Sequence, residues 1–414
     1  MEKILQLIPK NTHLDLKEIK VFLKPANSLS VFDELIIQFL NDFSRAILKN
    51  RNLQTYPEIV SLAFWLRKAN ILKIQDQHKY WRESNQVIYT SIGTVFHVCP
   101  ANVDTMFMYS LAVSMLCGNN NIVRISDRIK SFQIDIIINT LNELLSAEQY
   151  ESIKDTLSVI SYERNIEISS YISMNVDCRV IWGGDNTVNT FKSLPSKIKV
   201  KDLCFADRIS VSTISIAAYK ELDLDKKNEF VRLFFNDSYT FDQQGCSSPH
   251  SIFFVLDKQS NREANEMVVN DFYCRLSEIA DRSYENDLAS IASLKLNAMC
   301  DDAIDDTVLN FIKNNNRLVF TVSKEIGLIK KSCGAGYFYF NYIDSIQSIG
   351  DFLNSKVQTI SYFGLSDVEL SYFGNTLNNI MADRIVPIGK ALEFNYIWDG
   401  YNLFEELTRK IYIQ

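Results

Sequence analysis

The stretch GTVFHVCPANVDTMFMYSLAVSMLCGNNNIVRIS, residues 93–126, decides the fold. With its lead-in QVIYTSI it is apolar and β-branched from 86 to 99, which reads as strand. VDTMFMYSLAVSMLC (103–117) is apolar on most sides and predicts a buried helix. NIVRIS (121–126) is short and apolar, as a strand buried on both faces should be. Strand, helix and strand at this spacing imply a right-handed crossover between parallel strands.

The alternation continues downstream. A helix around IKSFQIDIIINTLNELL (129–145), a strand LSVISY (157–162), a helix RNIEISSYIS (164–173) and a strand DCRVIW (177–182) follow. Residues 86 to about 205 therefore read as a Rossmann-like α/β domain with its parallel sheet covered on both faces. A second alternation opens at ISVSTISIA (209–217). It runs through the helix DKKNEFVRLFFND (225–237), the strand SIFFVL (251–256), the helix REANEMVVNDFYCRLSEIA (262–280) and strands near RLVFTV (317–322) and GYFYFNYI (336–343). Upstream, VFDELIIQFLNDFSRAIL (31–48) and PEIVSLAFWLRKANIL (57–72) make residues 1 to about 75 helical. The expected division is 1–208 for N-terminal helices and a dinucleotide-binding domain, and 209–383 for a catalytic domain. Residues 384–414 form a tail that ends in a strand-turn and a short amphipathic helix, returning to the cofactor domain or to an oligomer interface.

Composition narrows the function. A chain of 414 residues exceeds one core, and its 47% apolar and 22% charged content is that of a globular protein. A formal charge of −7 without a basic run argues against nucleic acid. No apolar run is long enough to span a bilayer and MEKILQLIPK is no signal peptide, so the cytoplasm is expected. Eight cysteines show no CxxC pair, and with only four histidines a metal site is not expected.

Cys246 stands apart from the other cysteines. In SYTFDQQGCSSPHSIFFV (238–255) it follows a glycine in a run of small and polar residues, whereas Cys99 sits in the apolar VFHVCP. It is either an incidental thiol or a nucleophile meant to be reached. In the first domain GxGxxG is absent, and IWGGDNTVNTF (181–191) passes from strand to helix through Gly183 and Gly184. That is either a plain turn or a place where backbone approaches a phosphate. Arg124 and Asp127, in NIVRISDR, end a buried strand where open parallel sheets bind ligands; a solvated loop charge is the alternative for Arg124. His97 lies on an apolar strand and reads as a core histidine; His250 begins a strand, four residues from Cys246. The aromatic run 336–343 reads as core, with an acyl pocket as the alternative. Trp398-Asp399-Gly400 reads as a turn with a packing role.

Four blocks in order resemble the aldehyde dehydrogenase superfamily, and within it the LuxC-type acyl-CoA or acyl-protein thioester reductases. They are 93–126, VIWGGDNTV (180–188), DQQGCSSP (242–249) and RIVPIGKALEFNYIWDGYNLFEELTR (384–409), with VQTISYFG (357–364) fitting too. The resemblance implies an aldehyde-dehydrogenase-like α/β fold, a Rossmann-like cofactor domain joined to a second α/β catalytic domain. It puts Cys246 on the nucleophile and Asn102, in PANVD, on the amide that donates to the oxyanion. Arg124, Ser126 and Asp127 fall at the cofactor-contact strand, and Gly183 and Gly184 on the turn under the pyrophosphate. It implies NADPH, with NADH possible, an acyl-CoA or acyl-protein donor, an acyl-activating synthetase as partner, and a homo-oligomer. The superfamily's general-base glutamate is missing: KDLCFADRISVSTI (201–214) has Cys204 at about that place. Losing that base suits an enzyme that reduces a thioester instead of hydrolysing it. A second departure is Gly245 directly before Cys246. The competing classes are a Cys–His acyltransferase or thioesterase without nicotinamide, and a non-catalytic scaffold subunit.

Overall fold

A computed structural model describes residues 4–16, 18–21, 29–53, 56–83, 86–100, 103–127, 131–326, 329–377 and 382–414. The chain divides into two units, Met1–Asp207 with Phe394–Gln414, and Arg208–Glu393.

The first unit is built on strands β1 (Ile4–Ile8), β2 (Thr12–Leu14), β3 (Val87–Ser91), β4 (Thr94–Val98), β5 (Asn120–Ser126), β6 (Leu157–Tyr162), β7 (Cys178–Trp182) and β8 (Lys201–Phe205). One sheet takes the order β2-β1-β6-β5-β4-β7-β8, with β4 to β8 parallel and β1 antiparallel on β6. The N-terminal stretch is thus not wholly helical. ILQLI alternates in burial along its length and pairs antiparallel with β6 on one side and with the edge strand β2 on the other. The strand expected over 86–99 is two strands, because the chain turns at Gly93 (φ +121°), where a Cβ would collide with the Asp177 carboxylate. The helix expected over 57–72 is also two, Pro57–Trp65 and Lys68–Gln77. Met106–Leu116 is the buried crossover helix, with all eleven residues inside, as its nearly uniform apolar surface requires.

The second unit has its own sheet of β9 (Ile209–Ser215), β10 (Pro249–Val255), β11 (Val308–Ile312), β12 (Val319–Ser323), β13 (Tyr337–Ile343), β14 (Val357–Phe363) and β15 (Arg384–Pro387). Their order is β11-β12-β13-β10-β9-β14-β15, and every pairing but β11 with β12 is parallel. Helices Leu224–Tyr239 and Arg262–Ser283 cover one face through Phe230, Phe234 and Phe272, which pack with Phe254, Phe320, Phe338 and Phe340. The aromatic run of β13 is therefore core. Its alternate residues Tyr337 and Tyr339 point the other way and donate their hydroxyls to buried Asp302. Because β15 hydrogen-bonds to β14, residues 384–393 stay with the second unit instead of opening the C-terminal segment.

The tail returns to the first unit. β16 (Ile397–Trp398) and β17 (Tyr401–Asn402) form a hairpin whose turn residues Asp399 (φ +47°) and Gly400 (φ +76°) are left-handed. Trp398 is buried against Tyr109 and Trp182. A four-residue helix, Leu403–Glu406, leads into β18 (Thr408–Tyr412), which pairs antiparallel with β3. The chain thus finishes in a strand, not in the expected helix, because TRKIY finds a partner edge. No helix among the described residues is long and apolar enough to cross a membrane.

Candidate active site

In the first sheet the parallel strands run β6-β5-β4-β7-β8, so their chain order reverses between β4 and β7. Ligands of such sheets lie outside the carboxyl ends of the strands at that reversal. The chain leaves β4 through Cys99 and Pro100 toward Asn102, and leaves β7 directly into Gly183 and Gly184. Gly183 N donates to Phe205 O at 3.0 Å. Gly184 caps the helix Asp185–Ser193 without any capping side chain. Its φ is −61° and a Cβ there would meet nothing within 4 Å, so this unit's own packing does not require glycine. On the other side of β4, Val98 is in register with Arg124. The Arg124 guanidinium lies over the Tyr162 ring at 4.7 Å, and Nη2 donates to Tyr162 O at 3.4 Å. Its Nε is buried with no hydrogen-bond partner. Ser126 closes β5, and Asp127 is exposed in the turn after it. Asn102 lies outside the described residues.

Cys246 is half-buried at the amino end of the second sheet, in the turn before β10. Ser248 N donates to Gly245 O at 2.9 Å, closing a turn over Cys246 and Ser247. From β9, the Ser210 hydroxyl donates to Cys246 O at 2.6 Å, and it accepts from Thr359 N of β14. Ser247 Oγ donates to Gln358 Oε1 at 2.7 Å. The sulfur therefore sits on a backbone tied to two neighbouring strands, β9 and β14. No helix begins after Asp242: the next element is β10, so the following chain supplies no helix N-terminus to acidify the thiol.

The sequence profile of the acyl-CoA reductase (LuxC) family matches residues 39–410. The chain belongs to this family. Solved structures of the aldehyde dehydrogenase superfamily share the fold. A 1-pyrroline-5-carboxylate dehydrogenase variant from Thermus thermophilus is 9% identical with a TM-score of 0.64, over 96% of this chain and 85% of that one. An oxidoreductase from Marinobacter aquaeolei is 10% identical with a TM-score of 0.63, over 97% and 92%. Methylmalonate-semialdehyde dehydrogenase from Oceanimonas doudoroffii is 10% identical with a TM-score of 0.62, over 91% and 85%. A search of curated proteins finds no match.

The remaining candidates in this LuxC-family chain separate by burial. His97 is fully inside, its Nδ1 2.8 Å from Ser110 Oγ and its Nε2 3.1 Å from Asn121 Oδ1. Asn121 gives its own amide N–H to Asn119 O, so Oδ1 accepts from His97. Burial lowers the imidazole to about 4 and keeps it neutral: a satisfied core histidine. His250 is 1% exposed, and its Nδ1 accepts from Ser332 N at 3.2 Å with Ser332 Oγ at 2.8 Å. Burial pushes the thiols of Cys99, Cys117 and Cys178 far up, leaving them protonated and inert. Cys204, on β8, is half-buried and also raised by burial. Among the described residues no group of His, Cys, Asp and Glu is arranged to hold a metal. Sequence reading passed over Ser210 and Gln358. Each lies in a β-branched, serine-rich strand, and only the pairing of β9 and β14 beside β10 shows that they face the Cys246 turn.

Proposed function

We propose that this chain reduces acyl thioesters to aldehydes with a reduced nicotinamide dinucleotide, through an acyl group carried on Cys246. The observation that carries the reading is a half-buried cysteine on a backbone anchored to two strands, in a chain of the LuxC family. The Cys246 thiolate attacks the donor's thioester carbonyl, forming a new C–S bond and expelling the donor thiol. Covalent transfer leaves the acyl group on the protein while the donor departs. Asn102 and the Cys246 N–H would stabilise the oxyanion formed at that carbonyl. One such donor is typically worth about 2.7–4 kcal/mol of barrier. Cleavage of the Cys246 C–S bond then frees the aldehyde and restores the thiolate.

The first unit suits the cofactor. The open space over Gly184 admits a pyrophosphate near a helix N-terminus, and the buried, unpartnered Arg124 Nε marks a cation with bonding capacity to spare. Bound there, a nicotinamide supplies the hydride. Arg124 favours the 2′-phosphate of NADPH, Asp127 opposes it, and Arg124 is the better placed because it is backed by Tyr162. Ser126 would serve the same ribose. The lack of the superfamily's glutamate near Cys204 favours reduction over hydrolysis. Acyl-CoA or an acyl-protein is the donor, an acyl-activating synthetase is the partner, and the enzyme works as a homo-oligomer in the cytoplasm.

The test is direct. Purified protein mixed with acyl-CoAs of graded length should consume NADPH, and Cys246→Ala should abolish that consumption. Thioester hydrolysis without loss of nicotinamide absorbance would establish the Cys–His acyl-transfer alternative instead. Against that alternative, Nδ1 of His250 is already engaged by Ser332.

A further inference from the structure

Two loops beside Cys246 carry five left-handed residues, three of them not glycine. They are Asp242 (φ +52°), Gln243 (+63°), Gly334 (+86°), Ala335 (+54°) and Gly336 (+83°). Ordinary side chains resist that conformation, and it persists only where the surroundings over-determine it. Here the over-determination centres on one amide. Gln243 is fully buried. Its Nε2 donates to Pro249 O at 2.8 Å and Tyr337 O at 3.1 Å, while Oε1 accepts from Gly336 N at 2.9 Å and Tyr337 N at 3.1 Å. A primary amide has two donors and two lone pairs, and all four are used.

The backbones interlock around it. Asp242 O accepts from Ala335 N at 2.8 Å, and the Asp242 carboxylate accepts from Tyr284 OH at 2.7 Å and Asn286 Nδ2 at 2.9 Å. Gln244 Nε2 donates to Cys333 O at 3.2 Å. At Gly334 a Cβ would strike the Gln244 amide and Asp242 O.

We infer that Gln243 is the positioning residue for Cys246, joining the amino ends of β10 and β13 so that the sulfur three residues on has one location. The inference rests on Cys246 being the acyl acceptor. Its logic is mechanical. Pro249 starts the strand after Cys246, and Gly336 and Tyr337 start the neighbouring strand. A shift of the turn breaks four buried bonds at once.

Gln243→Met keeps the length and removes all four bonds. In the folded variant, acyl-CoA should label Cys246 roughly a hundredfold more slowly, the scale of a misplaced reacting group. The pH midpoint for alkylation of Cys246 by iodoacetamide should move, while NADPH affinity, set by the first unit, should not. Labelling at the wild-type rate with an unmoved midpoint overturns the inference. Should Gln243→Met fail to fold, Tyr284→Phe, which removes the hydroxyl that donates to Asp242 and accepts from Asn286, decides: slowed labelling supports the role and wild-type labelling refutes it. If the wild-type protein itself takes no acyl label, the proposed function falls, and the alkylation midpoint alone judges Gln243.

Discussion

The two sheets are alike in being mostly parallel, yet they offer their candidate chemistry at opposite ends. In the first, Gly183, Gly184, Arg124 and Asp127 gather at the carboxyl ends of β7 and β5, beside a reversal of strand order. In the second, Cys246 stands at the amino end of β10. A carboxyl-end site comes with the topology, since helix N-termini and open backbone collect there. An amino-end site inherits none of that. Its support is built separately, from the Ser210 hydroxyl, the Ser247–Gln358 bond and the Gln243 amide. One site is thus a property of the fold and the other a property of particular side chains.

That contrast can be broken in order of effect. Cys246→Ala should remove NADPH consumption entirely while NADPH still binds, measured by the change in nucleotide fluorescence. Loss of binding as well would show that the two ends do not act separately. Asn102→Ala should slow the hydride step by about 10²–10³-fold. Acylation should change less, as single-turnover kinetics would resolve; an unchanged hydride step would remove Asn102 from the oxyanion role.

The third prediction concerns stability. His97 has a folded-state pKa lowered by burial to about 4, against an ordinary 6.5. Below pH 6.5 the unfolded chain binds a proton that the folded one refuses, so stability falls as pH drops from 6.5 to 4. The loss approaches about 3 kcal/mol at the bottom of that window. His97→Gln should flatten this part of a denaturation-against-pH curve; an unaltered slope would mean other groups set it. The smallest effect is at the glycine turn. Gly184→Ala should leave the melting temperature unchanged, since its Cβ meets nothing, yet weaken NADPH by roughly tenfold, about 1.4 kcal/mol. Unchanged affinity would place the dinucleotide elsewhere.

Much of the fold was legible because its signals are local. The period-2 and fully apolar strands from β4 to β7, and the helix Met106–Leu116, follow from runs of a few residues each. What sequence missed depends on distant partners. ILQLI became β1 because β6 offers it an edge, and TRKIY became β18 because β3 does. The same division runs through the site. Cys246 and the glycine pair stand out by their immediate neighbours. Gln243 does not, because its four partners come from Pro249 and from Gly336–Tyr337, the latter more than ninety residues away. His97 was readable as core from its apolar strand, whereas the Ser332 partner of His250 lies 82 positions off.

The tail has a temporal consequence. Trp398, Leu403, Phe404 and Leu407 are members of the first unit's core, and among the described residues β18 is the only strand paired with β3. During synthesis all of Arg208–Glu393 emerges before those side chains do, so the inserted unit can fold while the earlier one still lacks part of its interior. The first unit would then be the last to close, and a nascent chain stalled short of residue 394 would hold a finished Cys246 turn and an unfinished first unit.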